Sequence, residues 1–240
     1  MTYLEDMGDF LENGLKRIRL TKSLPIPSSR ENLTPYHRLM RTDPEQREKD
    51  DFYPTHPNAT RAFTDTRILQ SPIAEPCCGT GDMSEVLKEY SSKPIFSSDL
   101  ISRGYGVGGL DFFSPEYDEI FKSYNLPFNI ITNPAFKFAQ AFVEKGLRLV
   151  KPHGGFVAVL CPLNFLEGEK RNKLLQENLK EVYIFVDRVP FQRGRLVRPN
   201  EKGGKMKAYA WYVFMNAPLQ YSAKIDWIWF DQEKKKKYLS

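Results

Sequence analysis

The chain has 240 residues, 41% of them hydrophobic and 27% charged, a balance that suits one large α/β domain with a substantial core. No apolar run reaches the length of a membrane span, and Met1 to Asp6 lack the basic and apolar regions of a secretory signal. The formal charge of +5 leans towards an anionic partner, and Cys77, Cys78 and Cys161 have no zinc-ligand spacing. They fit a reducing, cytoplasmic setting.

Leu4, Met7, Phe10, Leu11 and Leu15 recur at helical spacing, which predicts an amphipathic helix over residues 1–20. Residues 21–50 carry Pro25, Pro27, Pro35 and Pro44 among many charges and read as an irregular arm. Residues 1–50 therefore precede a main domain at 51–240. That domain opens on Asp51-Phe52-Tyr53-Pro54-Thr55-His56-Pro57, and Asn58 begins a helical pattern. His56 beside proline reads as a loop residue rather than a metal ligand.

A short strand at Ile73-Ala74-Glu75 runs into Pro76-Cys77-Cys78-Gly79-Thr80-Gly81, and a helix starts at Asp82. Glycines here permit a tight turn and close approach of a ligand to the backbone. No lysine follows them, so this is not a P-loop, and Glu75 favours a cationic ligand group over a phosphate. Pro94 to Asp99 predicts a second strand ending in an acid, a common acceptor for ribose hydroxyls. Gly104 to Gly109 form a glycine-rich turn, and Asp111 is expected at a third strand end.

Phe128 to Thr132 is an apolar, β-branched strand that stops in Asn133-Pro134-Ala135-Phe136. Pro134 fixes its own φ and pushes Asn133 towards an extended backbone. An amide, a carbonyl and an aromatic ring then sit together at a strand end, where open α/β sheets bind ligands. They could hold a planar ring bearing an amino group. Alone, the same pattern suits a polar strand-to-helix turn with a core phenylalanine.

A helix from Phe136 to Val150 follows, then strands at Phe156–Cys161, Glu181–Val186, Ala208–Met215 and Ile225–Phe230. Strands alternating with helices predict a doubly wound, mostly parallel sheet with a terminal antiparallel hairpin. The stretch Arg188, Arg193, Arg195, Arg198, Lys202, Lys205 and Lys207 carries one acid, Glu201. It suits a phosphate backbone or a solvated surface. Lys234 to Lys237 reads as a solvated end.

In order and content these stretches resemble S-adenosylmethionine-dependent DNA adenine-N6 methyltransferases, especially small phage or prophage ones, over residues 51–216. Phe52-Tyr53-Pro54-Thr55 is similar to their leading cofactor motif. Glu75 to Gly81 is similar to their acidic-Pro-x-x-Gly-x-Gly loop. Asp99 and Asp111-Phe112 fall where further acids follow. Asn133-Pro134-Ala135-Phe136 resembles their Asn-Pro-Pro-aromatic motif, with Ala135 in place of the second proline. Tyr209-Ala210-Trp211 resembles their late aromatic strand.

The resemblance implies a Rossmann-like class I methyltransferase fold, S-adenosylmethionine as cofactor, no metal, and a DNA partner in a bacterial or phage-infected cell. It implies catalytic roles for Asn133, Pro134 and Phe136. Cofactor contacts would fall to Tyr53, Thr55, Glu75, Pro76, Cys78, Gly79, Gly81, Asp99, Asp111, Phe112 and Asn133. Within that set, Glu75 is expected at the methionine ammonium, Asp99 at the ribose, and Asp111 with Phe112 at the cofactor's adenine. The basic stretch Arg188 to Lys207 is expected on nucleic acid. An RNA adenine or a protein glutamine amide would also present a planar amino group to such a site. A non-catalytic binding module stands as a third alternative.

Overall fold

A computed structural model describes residues 52–122, 127–191, 207–216 and 222–240. The expected N-terminal helix and arm lie outside the described residues. So do Arg193, Arg195, Arg198, Lys202 and Lys205 of the basic stretch.

Eight strands form one sheet in the order β3-β2-β1-β4-β5-β7-β6-β8. In chain order they are β1 Ile73–Glu75, β2 Ile95–Asp99, β3 Val107–Gly108, β4 Asn129–Thr132, β5 Phe156–Pro162, β6 Leu179–Phe185, β7 Tyr209–Met215 and β8 Lys224–Ile228. β1 pairs in parallel with β2 and β4, and β4 with β5. β7 inserts between β5 and β6, antiparallel to both, while β8 runs parallel to β6 at the edge. The expected antiparallel pair is thus β6 with β7, and the last strand adds beyond it.

Six helices flank this sheet among the described residues. They are α1 Pro57–Thr64, α2 Asp82–Tyr90, α3 Pro115–Lys122, α4 Ala139–Val150, α5 Glu169–Asn178 and α6 Gln232–Leu239. Successive side chains of a strand point to opposite faces, and the core divides accordingly. Ile130 of β4 and Val157, Val159 and Cys161 of β5 join Tyr117, Phe142, Val143 and Leu174 of α3, α4 and α5. Ile131, Ala158 and Leu160 join Ala59, Phe63, Met83 and Leu87 of α1 and α2 on the other face. The central strands are therefore apolar on both sides, which explains their unbroken hydrophobic runs.

Two local expectations shift. The third strand lies inside the glycine-rich turn, where Val107 and Gly108 pair with Ser98 and Asp99, so Asp111 falls three residues beyond it. A sequence reader misses this strand because two residues give no period to detect. The lysine run near the C-terminus is helical in α6. Asp231 caps it, its Oδ1 accepting the Glu233 and Lys234 N–H groups at 3.1 Å each.

Candidate functional site

A cleft of about 350 Å³ opens where β1, β2 and β4 end, the edge at which open α/β sheets place ligands. Three segments converge there: Phe52 to Thr55 ahead of α1, the Glu75 to Thr80 turn, and Asn133 to Lys137 after β4.

The most constrained group is the Asn133 carboxamide. Its Nδ2 donates to the Tyr53 carbonyl at 3.3 Å and to the Thr55 hydroxyl at 3.0 Å. A backbone carbonyl only accepts, so the nitrogen must face it. The amide oxygen is thereby turned away, and it is buried with no hydrogen-bond partner. Burying an acceptor without a partner costs stability. Pro134 is buried beside it. Phe136 opens a short 3-10 turn over Phe136–Phe138 and lies 5.7 Å, ring to ring, from Tyr209, which packs on Phe191 at 4.5 Å.

Across the cleft, Glu75 at the end of β1 is 1% exposed and accepts from the Ser84 hydroxyl of α2. Burial pushes its carboxyl up to about 8, the Ser84 bond opposing this and Asp99 adding to it. A buried carboxyl of this kind is primed to ionise when a cationic ligand group arrives. Gly79 follows in left-handed backbone at φ 55°, and a Cβ there would meet the Phe52 ring at 2.6 Å. Only glycine lets this turn pass beneath that ring.

Asp99 closes the far side. Its Oδ2 accepts the Gly79 N–H at 2.8 Å, and its Oδ1 accepts the Ile101 N–H at 2.9 Å. Arg103 donates to the same Oδ1 at 3.2 Å and lies 4.1 Å above the centre of the Phe52 ring. A carboxylate offers about four acceptor positions, so Asp99 keeps capacity for a ligand hydroxyl. Asp111 is buried and accepts the Phe113 N–H at 2.9 Å. Phe112 stacks flat on Phe142 at 4.7 Å, and both rings line the cleft. Burial holds the Cys78 thiol up at about 12 and Cys77 well above its usual range, so neither is a thiolate nucleophile at neutral pH.

The cleft thus gathers Tyr53, Thr55, Glu75, Pro76, Cys78, Gly79, Asp99, Asp111, Phe112, Asn133, Pro134 and Phe136. Gly81 stands apart from this lining. It is the N-cap of α2 at φ 92°, and a Cβ there would strike the Tyr105 ring at 2.4 Å. Lys207 reaches the cleft from the basic stretch, whereas Arg188 is exposed elsewhere. Arg103 and Lys137, which sequence reasoning passed over, also line it. Nothing local marks Arg103 in the sequence: its partner Asp99 is four residues away but in a strand, not on a shared helix. His56, also untouched by the cleft, caps α1, its Nδ1 accepting the Asn58 N–H at 3.2 Å. Among the described residues, no group of three or more His, Cys, Asp and Glu could hold a metal ion, and no helix is long and apolar enough to cross a membrane.

The strand order, with the antiparallel β7 inserted between β5 and β6, defines the class I methyltransferase fold. The type I restriction-modification system methyltransferase subunit of Streptococcus thermophilus is similar to the chain with a TM-score of 0.50 and 13% identity. The match covers 69% of this chain and 44% of that one, so the chain spans less than half of that subunit. An S-adenosylmethionine-dependent O-methyltransferase of Thermotoga maritima matches at a TM-score of 0.48 and 13% identity, over 74% of this chain and 72% of its own. A 23S rRNA methyltransferase matches at 0.45 and 17%, over 71% and 72%. No protein-family profile matches the sequence, and no curated protein matches it.

Proposed function

We propose that the chain transfers a methyl group from S-adenosylmethionine to the N6 amino group of adenine in DNA. The observation that carries this reading is the Asn133 amide oxygen, buried, unpartnered and turned away from the groups its nitrogen binds, on a residue that lines the cleft. Adenine's amino lone pair is delocalised into its ring and attacks poorly. The Asn133 oxygen would accept one amino hydrogen and the Pro134 carbonyl the other, returning electron density to nitrogen. Phe136 would stack on the base. The bound cofactor would supply a sulfonium methyl group, its S–C bond breaking to a neutral thioether as the amino nitrogen forms the N–C bond, and the displaced amino proton would pass to solvent.

The residues present fit S-adenosylmethionine. Glu75 offers a buried carboxyl for the methionine ammonium, and Asp99 keeps acceptor capacity for a ribose hydroxyl. Asp111 and Phe112 would border the adenine. Gly79 lets the turn that borders the cleft pass beneath the Phe52 ring, where a Cβ would clash at 2.6 Å. Positioning of the two reactants supplies most of the acceleration in such a transfer, and a duplex base must first be flipped out to reach the cleft.

DNA is favoured by charge. Lys137 and Lys207 line the cleft beside Asn133 to Phe136, the chain carries +5, and Arg188 to Lys207 is basic in sequence. The likeness to a restriction-modification methyltransferase subunit agrees with this reading. Residues 51–240 would form the catalytic domain, residues 1–50 a leading arm, and the free cysteines suit a bacterial or phage-infected cytoplasm.

The test incubates the protein with methyl-labelled S-adenosylmethionine and pools of duplex DNA, RNA and protein. Label at N6 of adenine in DNA is expected. Label in RNA, in glutamine or on cytosine would reject the proposed acceptor, and calorimetry without cofactor binding would reject the whole reading.

A further inference from the structure

We propose that Thr55 is a positioning residue for the transfer, holding the Asn133 carboxamide with its oxygen towards the acceptor; this rests on the reading above. The resemblance puts Thr55 among the cofactor contacts, but its hydroxyl oxygen is engaged with Asn133 Nδ2 at 3.0 Å. The second restraint, the Tyr53 carbonyl, is longer at 3.3 Å. A carboxamide rotates end for end about its last side-chain bond, and the two ends do opposite things. With the oxygen inward the group accepts from an amino group. With the nitrogen inward it sets a donor against a donor. The Tyr53 carbonyl, which only accepts, selects that orientation, and the shorter Thr55 bond holds the amide in it.

Thr55 is itself tied to the far half of the sheet through α1. It is 6% exposed and directly precedes the cap of α1. The His56 carbonyl accepts the Ala59 N–H at 2.8 Å, and the Trp211 indole of β7 donates to the Ala59 carbonyl at 3.0 Å. A chain of backbone and ring contacts thus runs from β7 through the start of α1 to the amide at the end of β4. Thr55 and Asn133 are 78 residues apart, so only the fold makes them partners.

The experiment compares Thr55→Val, nearly isosteric but without the acceptor, with Thr55→Ser, which keeps it. Three quantities are measured: the single-turnover methyl-transfer rate at saturating cofactor, the S-adenosylmethionine Kd, and the side-chain amide resonances of Asn133, identified by their loss in Asn133→Asp. Thr55→Val should slow transfer by roughly tenfold to a hundredfold, as removal of a supporting partner does elsewhere. Its Kd should stay within about twofold, and the Asn133 amide protons should move towards free-amide shifts. Thr55→Ser should restore rate and shifts. Unchanged rate and resonances in Thr55→Val would overturn the proposal, as would a weaker Kd with normal saturated rate, since that marks a cofactor contact. If Thr55→Val does not fold, Thr55→Ala takes the same three readouts. Should the wild type methylate no adenine, the function falls, and the amide resonances still decide whether Thr55 orients Asn133.

Discussion

At the residue scale, the proposed roles of Asn133 and Glu75 separate chemistry from binding. Asn133→Ala removes the oriented acceptor and nothing that faces the Glu75 side. Methyl transfer should fall about a hundredfold or more, the usual cost of one preorganised partner in a water-poor site, while calorimetry finds cofactor affinity little changed. Ala135 sits at φ −55° and ψ 120°, within proline's range. Its carbonyl accepts the Phe138 N–H at 2.8 Å, a bond that proline would keep. Ala135→Pro should thus raise stability by about 0.4–1 kcal/mol through a stiffer unfolded chain, read by urea unfolding, and keep activity. Glu75 makes the pH dependence. Its carboxyl titrates near 8 in the fold against 4.5 when unperturbed. Between those values the folded state holds more protons than the unfolded one, so stability falls as pH rises through that window. If Glu75 holds the methionine ammonium as proposed, cofactor binding draws on the ionised form and should strengthen about tenfold per unit from pH 6 to 7, where an α-ammonium is still charged. Glu75→Gln should flatten both trends, measured by thermal melts and calorimetry.

Elements decide how much of this was readable in advance. β1, β2, β4 and the Gly79 turn were legible because each carries a local signature: an apolar run, then a residue that stops it. β5 to β8 were legible for the same reason, with bounds shifted by a residue or two. α3 and α5 escaped notice, as each contributes few buried residues, Tyr117, Ile120 and Phe121 in one and Leu174 in the other. The links between elements were not legible at all. Trp211 donates to Ala59 across 152 residues, and no pattern in either segment announces it. That bond also stacks Trp211 on Phe63 at 4.5 Å, tying α1 to β7. Trp211→Phe would keep the stacking and remove the indole bond to the Ala59 carbonyl, at about 0.5–1.5 kcal/mol. Chemical unfolding should show that loss, and transfer should slow further than stability explains, because α1 carries Thr55 into place. Transfer unchanged per folded molecule would argue that α1 is mere cladding.

For the whole molecule, the two halves of the sheet bring different groups to one carboxyl-terminal edge. The strand ends after β1, β2 and β4 supply the carboxyls and the amide, while the β6–β7 connection carries the basic stretch that ends at Lys207 beside the cleft. A flipped base in the cleft would leave its flanking phosphates at the rim, near Lys137 and Lys207. Each phosphate contact releases condensed counterions, so log affinity falls with log salt by about 0.9 per contact. Lys137→Ala with Lys207→Ala should weaken DNA binding at low salt and lower the salt slope by up to about 2. Neutralising Arg193, Arg195 and Arg198 together should lower it further if the basic stretch follows the backbone. Fluorescence anisotropy with a labelled duplex over a salt series reads both, with cofactor affinity as the control. A slope untouched by all five changes would make the basic stretch a solvated surface. Phosphate contacts also act uniformly on every sequence. Both variants should therefore weaken cognate and random duplexes alike, while Phe136→Ala, which removes a stacking face worth about 1–3 kcal/mol per base, should weaken the flipped-base complex and leave the salt slope as it was.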